Sequence, residues 1–246
     1  MNLNDCLNEN AKGKSYSYPY GLWIIDNFLN KKTLELIHNN WPANEDDVWI
    51  TTRKKINGKE NILEQGMLAI STLEDIPPEI KKVFVLLKGA QFVENIKDIT
   101  GIRSLTTDPT MNWSGLRVML PDSKQMIHSD ARIHPVNKSR KEVTCLLYLN
   151  KNYQRDKDEG CLEIWDDDMK ECIHQIEPLE NRLVLFLNNE KSYHGVPLVK
   201  SERKSITWSV NSVESSSSNR SKALFVTRPG DDPNIEKLGL ERSLIK

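Results

Sequence analysis

The chain has 246 residues, enough for one large domain or two small ones and for a substantial buried core. Its 34 Lys and Arg oppose 35 Asp and Glu, a net charge of −1, so no overall field draws it to nucleic acid or to anionic lipid. Apolar residues make up 38% of it, in runs no longer than five such as Val83-Phe84-Val85-Leu86-Leu87, far short of a membrane span. The N-terminus, Met1-Asn2-Leu3-Asn4-Asp5, lacks the basic and apolar regions of a signal peptide, and a cytoplasmic residence is expected. Cys6, Cys145, Cys161 and Cys172 form no CxxC pair and are too widely spaced for a disulfide framework, so they are expected to be reduced.

Residues 1–18 are polar and without periodicity, which predicts a loosely held arm. Leu22-Trp23-Ile24-Ile25 suits a short strand. Asn30 is placed to cap a helix that carries Leu34, Ile37 and Trp41 on one face and stops at Pro42. A polar stretch, 44–64, gives no structural signal beyond the turn pair Asn57-Gly58. Pro77-Pro78 opens a helix with Ile80, Val83, Phe84 and Leu87 inward, and a second helix runs through Phe92, Ile96 and Ile99 to a cap at Gly101. The first hundred residues therefore read as mainly helical.

From Leu116 the texture changes to short β-rich runs between turn residues. Eight candidate strands cover 116–120, 126–130, 143–149, 161–165, 171–177, 182–187, 194–199 and 203–210. Eight antiparallel strands with little helix between them predict a mainly β fold with flanking helices, a double-stranded β-helix (jelly roll) with the N-terminal helices packed on one sheet. Ser215-Ser216-Ser217-Ser218 reads as a flexible tract, followed by the apolar run 223–226 and a charged tail. The expected organisation is a helical support region with a short strand at 1–110, a β-helix core at 111–213, and a Ser-rich linker and tail at 214–246.

His128-Ser129-Asp130 falls on the second candidate strand, and His194 opens the seventh. Residues i and i+2 share a face of a strand, so His128 and Asp130 can both point into a barrel mouth where a His from a distant strand completes a facial set. Two imidazoles and one carboxylate leave positions open on a six-coordinate metal, the arrangement of non-haem Fe(II) oxygenases, whereas a closed structural zinc site needs four protein ligands. Alone, an HxD triplet is also compatible with a polar turn carrying a surface His. His134, in the loop six residues past His128, is an alternative ligand.

Arg203 stands nine residues past His194 at the start of the last candidate strand. Together with HxD and the distal His, it makes 116–210 resemble the Fe(II)- and 2-oxoglutarate-dependent dioxygenases, in their prolyl-hydroxylase-like branch. Val143-Thr144-Cys145-Leu146-Leu147-Tyr148-Leu149-Asn150 is similar to the third-strand motif of the hypoxia-sensing prolyl hydroxylases, and Gly160-Cys161-Leu162-Glu163-Ile164 resembles their next strand. The resemblance implies that His128, Asp130 and His194 bind Fe(II), that Arg203 pairs with the distal carboxylate of 2-oxoglutarate, and that Tyr148, with Ser205 or Thr207, assists. It further implies O2 as the oxidant, with 2-oxoglutarate decarboxylated to succinate and CO2 as an unactivated C–H bond is hydroxylated.

Where many relatives carry Gly-Gly entering the fourth strand, this chain has Glu159-Gly160, and the loops 132–141 and 152–158 match nothing in the prolyl hydroxylases. A protein-proline substrate is therefore not carried over. The expected substrate is a peptide side chain, an amino acid or another polar small molecule. Arg132 is expected at the pocket rim, within a mostly cationic set of loop charges, with Trp113 and Leu162 as apolar cover. Two rival functions are a jelly-roll module binding a metal or a sugar, and a cupin-type metalloenzyme that uses no 2-oxoglutarate.

Overall fold

The computed structural model describes residues 2–52, 55–56, 59–213 and 220–243. In chain order, β1 (Lys12–Tyr16), β2 (Leu22–Asp26) and α1 (Lys31–Asn39) are followed by β3 (Ile50–Thr51), β4 (Lys55–Ile56), β5 (Lys59–Glu60) and β6 (Glu64–Ile70). Next come α2 (Pro78–Leu87), α3 (Ala90–Thr100), β7 (Leu105–Thr106), β8 (Gly115–Ser129), β9 (Arg140–Tyr148) and the single turn α4 (Arg155–Asp158). The chain continues with β10 (Leu162–Trp165), β11 (Cys172–Ile176), β12 (Leu183–Leu187), β13 (His194–Val196), β14 (Arg203–Ser212), β15 (Leu224–Phe225) and α5 (Ile235–Ser243).

One curled sheet runs β1-β2-β12-β9-β14-β8-β13-β10-β11 with every pairing antiparallel, and β6 lies against β8. The long strand β8 closes the curl. Its first half pairs with β14 (Met119 opposite Arg203, Arg117 opposite Ser205), and its second half pairs with β13 (His128 opposite His194). Between them Asp122 takes a φ of 65° at the corner where the strand passes from one layer to the other. The two strands predicted at 116–120 and 126–130 are thus one bent strand, and the fold is the expected double-stranded β-helix.

The central strands are buried on both faces, which is why their sequences are nearly continuous apolar runs. In β9, Val143, Cys145 and Leu147 face the helices, while Thr144, Leu146 and Tyr148 face the interior of the curl. In β14, Ile206, Trp208 and Val210 turn to the helices, and Arg203, Ser205 and Thr207 turn inward. Ile80, Val83, Phe84 and Leu87 of α2, with Phe92, Val93 and Ile96 of α3, complete the outer layer. Asn30 caps α1 through its side chain, which accepts from Thr33 N at 2.9 Å, and Gly101 ends α3 with a φ of 74°.

Three expectations change. The arm predicted for 1–18 holds Leu3 and Cys6 in the core and forms β1, whose five exposed residues are recruited by the edge of β2. The first hundred residues, read as mainly helical, also supply β2 and β6 to the main sheet. The charged tail packs inward: β15 pairs with Ser129 and His128, and Phe225 joins Leu63, Met126, Ile235 and Leu238 in a small core. The Ser215–218 tract lies outside the described residues.

Candidate active site

His128 and His194 are direct cross-strand partners, their ring centroids 4.4 Å apart, and Asp130 follows two residues past His128 on the same side. One ligand atom from each of the three lies within 4.8 Å of the others. Asp130 Oδ1 is 3.6 Å from His128 Nε2, and Oδ2 is 4.0 Å from His194 Nε2. Each ring is fixed from behind: His128 Nδ1 bonds the carbonyl of Met126 at 3.0 Å and His194 Nδ1 that of Ser192 at 2.9 Å. A carbonyl only accepts, so both Nδ1 atoms carry the proton and both Nε2 lone pairs are presented to the cluster. Burial, aided by His128 and opposed by Asp130, lowers His194 to about 4, which keeps it neutral at neutral pH.

Burial alone would raise Asp130, but the Lys141 ammonium beside it holds it well below the usual carboxylate range. Its Oδ2 accepts from Lys141 Nζ at 2.6 Å and from Thr144 Oγ at 3.0 Å, leaving Oδ1 turned toward His128. The Asn188 amide, oriented so that its oxygen accepts from Thr144, donates to the same Oδ2 at 3.3 Å. Two imidazoles and one ionised carboxylate, open on the cavity side, suit a divalent ion that keeps further positions for other ligands.

That cavity, of about 240 Å³, reaches from the cluster to Arg203, with Ser205, Thr207, Leu162 and Trp113 in its wall. Arg203 is 7% exposed. Its Nη2 donates to Tyr148 Oη at 2.9 Å, its guanidinium stands 4.7 Å over the Tyr148 ring, and its buried Nε–H has no partner. Among the described residues no carboxylate pairs with it. Burial raises Tyr148, with Arg203 opposing, so the phenol keeps its own O–H to donate. A buried guanidinium without a counter-ion, at the far end of a cavity from the His-Asp-His cluster, is chemically fitted to a carboxylate.

The remaining sequence-based site residues divide. Trp113 lines the cavity, but Arg132 does not: its Nη1 donates to the carbonyls of Lys141 (2.8 Å) and Asn188, and its Nε faces Glu190. It braces the backbone behind Asp130. His134 is no alternative ligand, because Nδ1 accepts the N–H groups of Val136 and Asn137 and Nε2 is bonded to Thr110 at 2.9 Å. Of the cationic loop set only Lys141 reaches the cavity; 152–158 folds around α4 beside a separate pocket. Both residues of Glu159-Gly160 take positive φ, 50° and 70°, so Glu159 stands in a conformation that glycine adopts without strain.

Sequence reasoning missed Thr144, Asn188 and Arg117, and it placed Lys141 among the rim charges without its bond to Asp130. Lys141 and Thr144 share the interior only because β9 carries an irregularity opposite Val210 and Asn211, where Glu142 is the extra residue. No periodicity in the sequence announces that bulge. Arg117 was accessible, since it shares the inward face of its strand with Met119 by the period of two.

The family model of the 2OG-Fe(II) oxygenase superfamily matches residues 115–210. No curated protein matches the chain. Among solved structures, a Pseudomonas putida prolyl-4-hydroxylase is similar at 16% identity and a TM-score of 0.58, over 83% of this chain and 95% of that one. The Trichoplax adhaerens prolyl hydroxylase, in complex with a peptide fragment of the hypoxia inducible factor oxygen degradation domain, is 17% identical with a TM-score of 0.53, over 78% and 83%. HygX of Streptomyces hygroscopicus, with nickel, 2-oxoglutarate and hygromycin B bound, is 10% identical with a TM-score of 0.50, also over 78% and 83%. At these identities the likeness is one of fold.

Proposed function

With residues 115–210 matching the family model of the 2OG-Fe(II) oxygenase superfamily, we propose that His128, Asp130 and His194 ligate Fe(II) and that Arg203, with Tyr148, Ser205 and Thr207, anchors the distal carboxylate of 2-oxoglutarate. The protein is a 2-oxoglutarate-dependent non-haem iron dioxygenase, with Fe(II), 2-oxoglutarate and O2 as its cofactor and cosubstrates. What supports the site assignment is one cavity joining a facial His-Asp-His cluster to a buried arginine that has no counter-ion. A metal- or sugar-binding module has no use for such an arginine.

The chemistry that Fe(II) and 2-oxoglutarate supply when bound is activation of O2, with decarboxylation to succinate and CO2 coupled to oxidation of a C–H bond. The chain's own residues bind, orient and exclude water. Met126 and Ser192 carbonyls fix the ring tautomers, and Lys141 and Thr144 hold Asp130 in place. Arg203 and Tyr148 present N–H and O–H donors to a carboxylate in a site where burial strengthens each contact. In this reading 111–213 is the dioxygenase core, 1–110 supports it, and the outcome is hydroxylation of a peptide side chain, an amino acid or another polar small molecule.

Succinate release from 2-oxoglutarate tests this directly. It is expected to require added Fe(II) and to fall to background in His128→Ala and His194→Ala proteins that keep the native circular dichroism. Turnover of a substrate that is independent of 2-oxoglutarate overturns the reading.

A further inference from the structure

Arg117 is a cation of the same cavity to which this reading gives no task. Its guanidinium reaches back toward the start of β8: Nη1 donates to the carbonyls of Leu116 at 2.9 Å and Ile70 at 3.3 Å, and Nη2 to that of Ser114 at 3.2 Å. Three of its five N–H groups are thereby used to fix the plane. The Nε–H and one Nη2–H have no partner among the described residues, and no carboxylate there stands within ion-pair distance. Burial lowers Arg117 to about 10, with Glu64 opposing, so it is charged at neutral pH. Arg203 is separate, facing Met119 two residue pairs further along the two strands, with Tyr148 beside it.

Charge in the cavity decides what Arg117 is for. Apart from the imidazoles, its charged lining is Arg117, Lys141 and Arg203 against Asp130 and Glu64. Fe(II) and dianionic 2-oxoglutarate bring equal and opposite charges, so the loaded cavity keeps one positive charge in excess. Lys141 is paired with Asp130 and Arg203 is assigned to the distal carboxylate, while Glu64 acts on Arg117 only from beyond ion-pair distance, so Arg117 keeps open donors. A partly buried cation favours an anion that restores its lost hydration, and a planar pair of N–H groups matches a carboxylate in a two-point contact. Trp113, in the same wall, offers an apolar face beside it.

We propose that Arg117 determines specificity by binding a carboxylate of the primary substrate, so that the substrate is a carboxylic acid held with its target C–H bond toward the His128, Asp130 and His194 cluster. This rests on the assignment of that cluster to Fe(II) and of Arg203 to 2-oxoglutarate.

Anaerobic titration calorimetry of the Fe(II)- and 2-oxoglutarate-loaded protein tests it, with free amino acids, 2-hydroxy acids and short dicarboxylates each run beside its carboxamide, and phosphoserine as a phosphate arm. At least one acid is expected to bind about tenfold or more tighter than its carboxamide, the effect of a charge-assisted contact. Arg117→Gln should abolish that preference while changing the 2-oxoglutarate dissociation constant less than about twofold. Arg117→Lys, which keeps the charge but loses the fork, should retain part of it, and this variant serves if Arg117→Gln does not fold. The proposal is overturned if no acid is preferred over its carboxamide, if the preference survives Arg117→Gln, or if the phosphate group of phosphoserine alone is recognised. It is also overturned if Arg117→Gln weakens 2-oxoglutarate as much as Arg203→Gln does. Failure of 2-oxoglutarate to bind the native Fe(II) protein would instead refute the underlying site assignment.

Discussion

Asp130 is held by three donors on one oxygen, Lys141, Thr144 and the Asn188 amide, so its other oxygen is left for a metal. Asp130→Asn keeps the shape and removes the charge. Iron occupancy measured by metal analysis after dialysis is expected to fall sharply in that variant, with the melting temperature close to native; full occupancy would reassign the ligand set. At the other end of the cavity, Arg203 offers a planar fork that a lysine cannot reproduce. Arg203→Lys is expected to raise the apparent 2-oxoglutarate constant about tenfold or more, from the loss of a charge-assisted contact contributing about 1.5–3 kcal/mol. Tyr148→Phe should have a smaller effect, since it removes one neutral donor and leaves the guanidinium in place. Steady-state kinetics in 2-oxoglutarate checks both, and an unchanged constant in Arg203→Lys would contradict the anchor.

At the scale of elements, β8 carries both ends of the site: Arg117 in the half paired to β14, and His128 in the half paired to β13. Its entry is tight. Gly115 has a φ of 130°, and a Cβ there would meet the carbonyl oxygen of Ile70 at 1.9 Å. Gly115→Ala must therefore push β6 from β8 as well as strain the backbone. It is expected to destabilise the fold by more than the roughly 1 kcal/mol typical of point substitutions, measured by urea unfolding, and a native midpoint would show that the strand pair can slide. Asn30 provides a milder control, because loss of its side-chain cap on α1 costs about 0.5–2 kcal/mol and leaves the cavity untouched.

At the scale of the molecule, Trp208 joins the sheet to its helical layer: it is fully buried, its ring 5.4 Å from Phe92 in an edge contact. Trp208→Ala should lower stability by about 3–5 kcal/mol. Trp208→Phe keeps most of the packing and removes a buried indole N–H that has no partner, so it should cost much less. Denaturant midpoints of the two variants check this, and equal losses would mean that packing is not the dominant contribution there. Among the described residues no helix is long and apolar enough to cross a membrane.

What the sequence by itself determined was set by local periodicity. Alternation in β9, β12 and β14 places one row of side chains on the helices and the other in the interior, and the HxD spacing puts His128 and Asp130 on one side. Arg203, Ser205 and Thr207 follow from the same period, as do the α1 cap and the Gly101 end of α3. Only the tertiary structure decided the rest. Whether Arg132 faces the cavity depends on where a loop turns. Lys141 reaches Asp130 because one extra residue in β9 reverses the face of those before it. The exposed β1 and the inward-folded β15 exist because edges of the sheet supply hydrogen-bond partners, and such partners are distant in the chain and leave no mark on the local sequence.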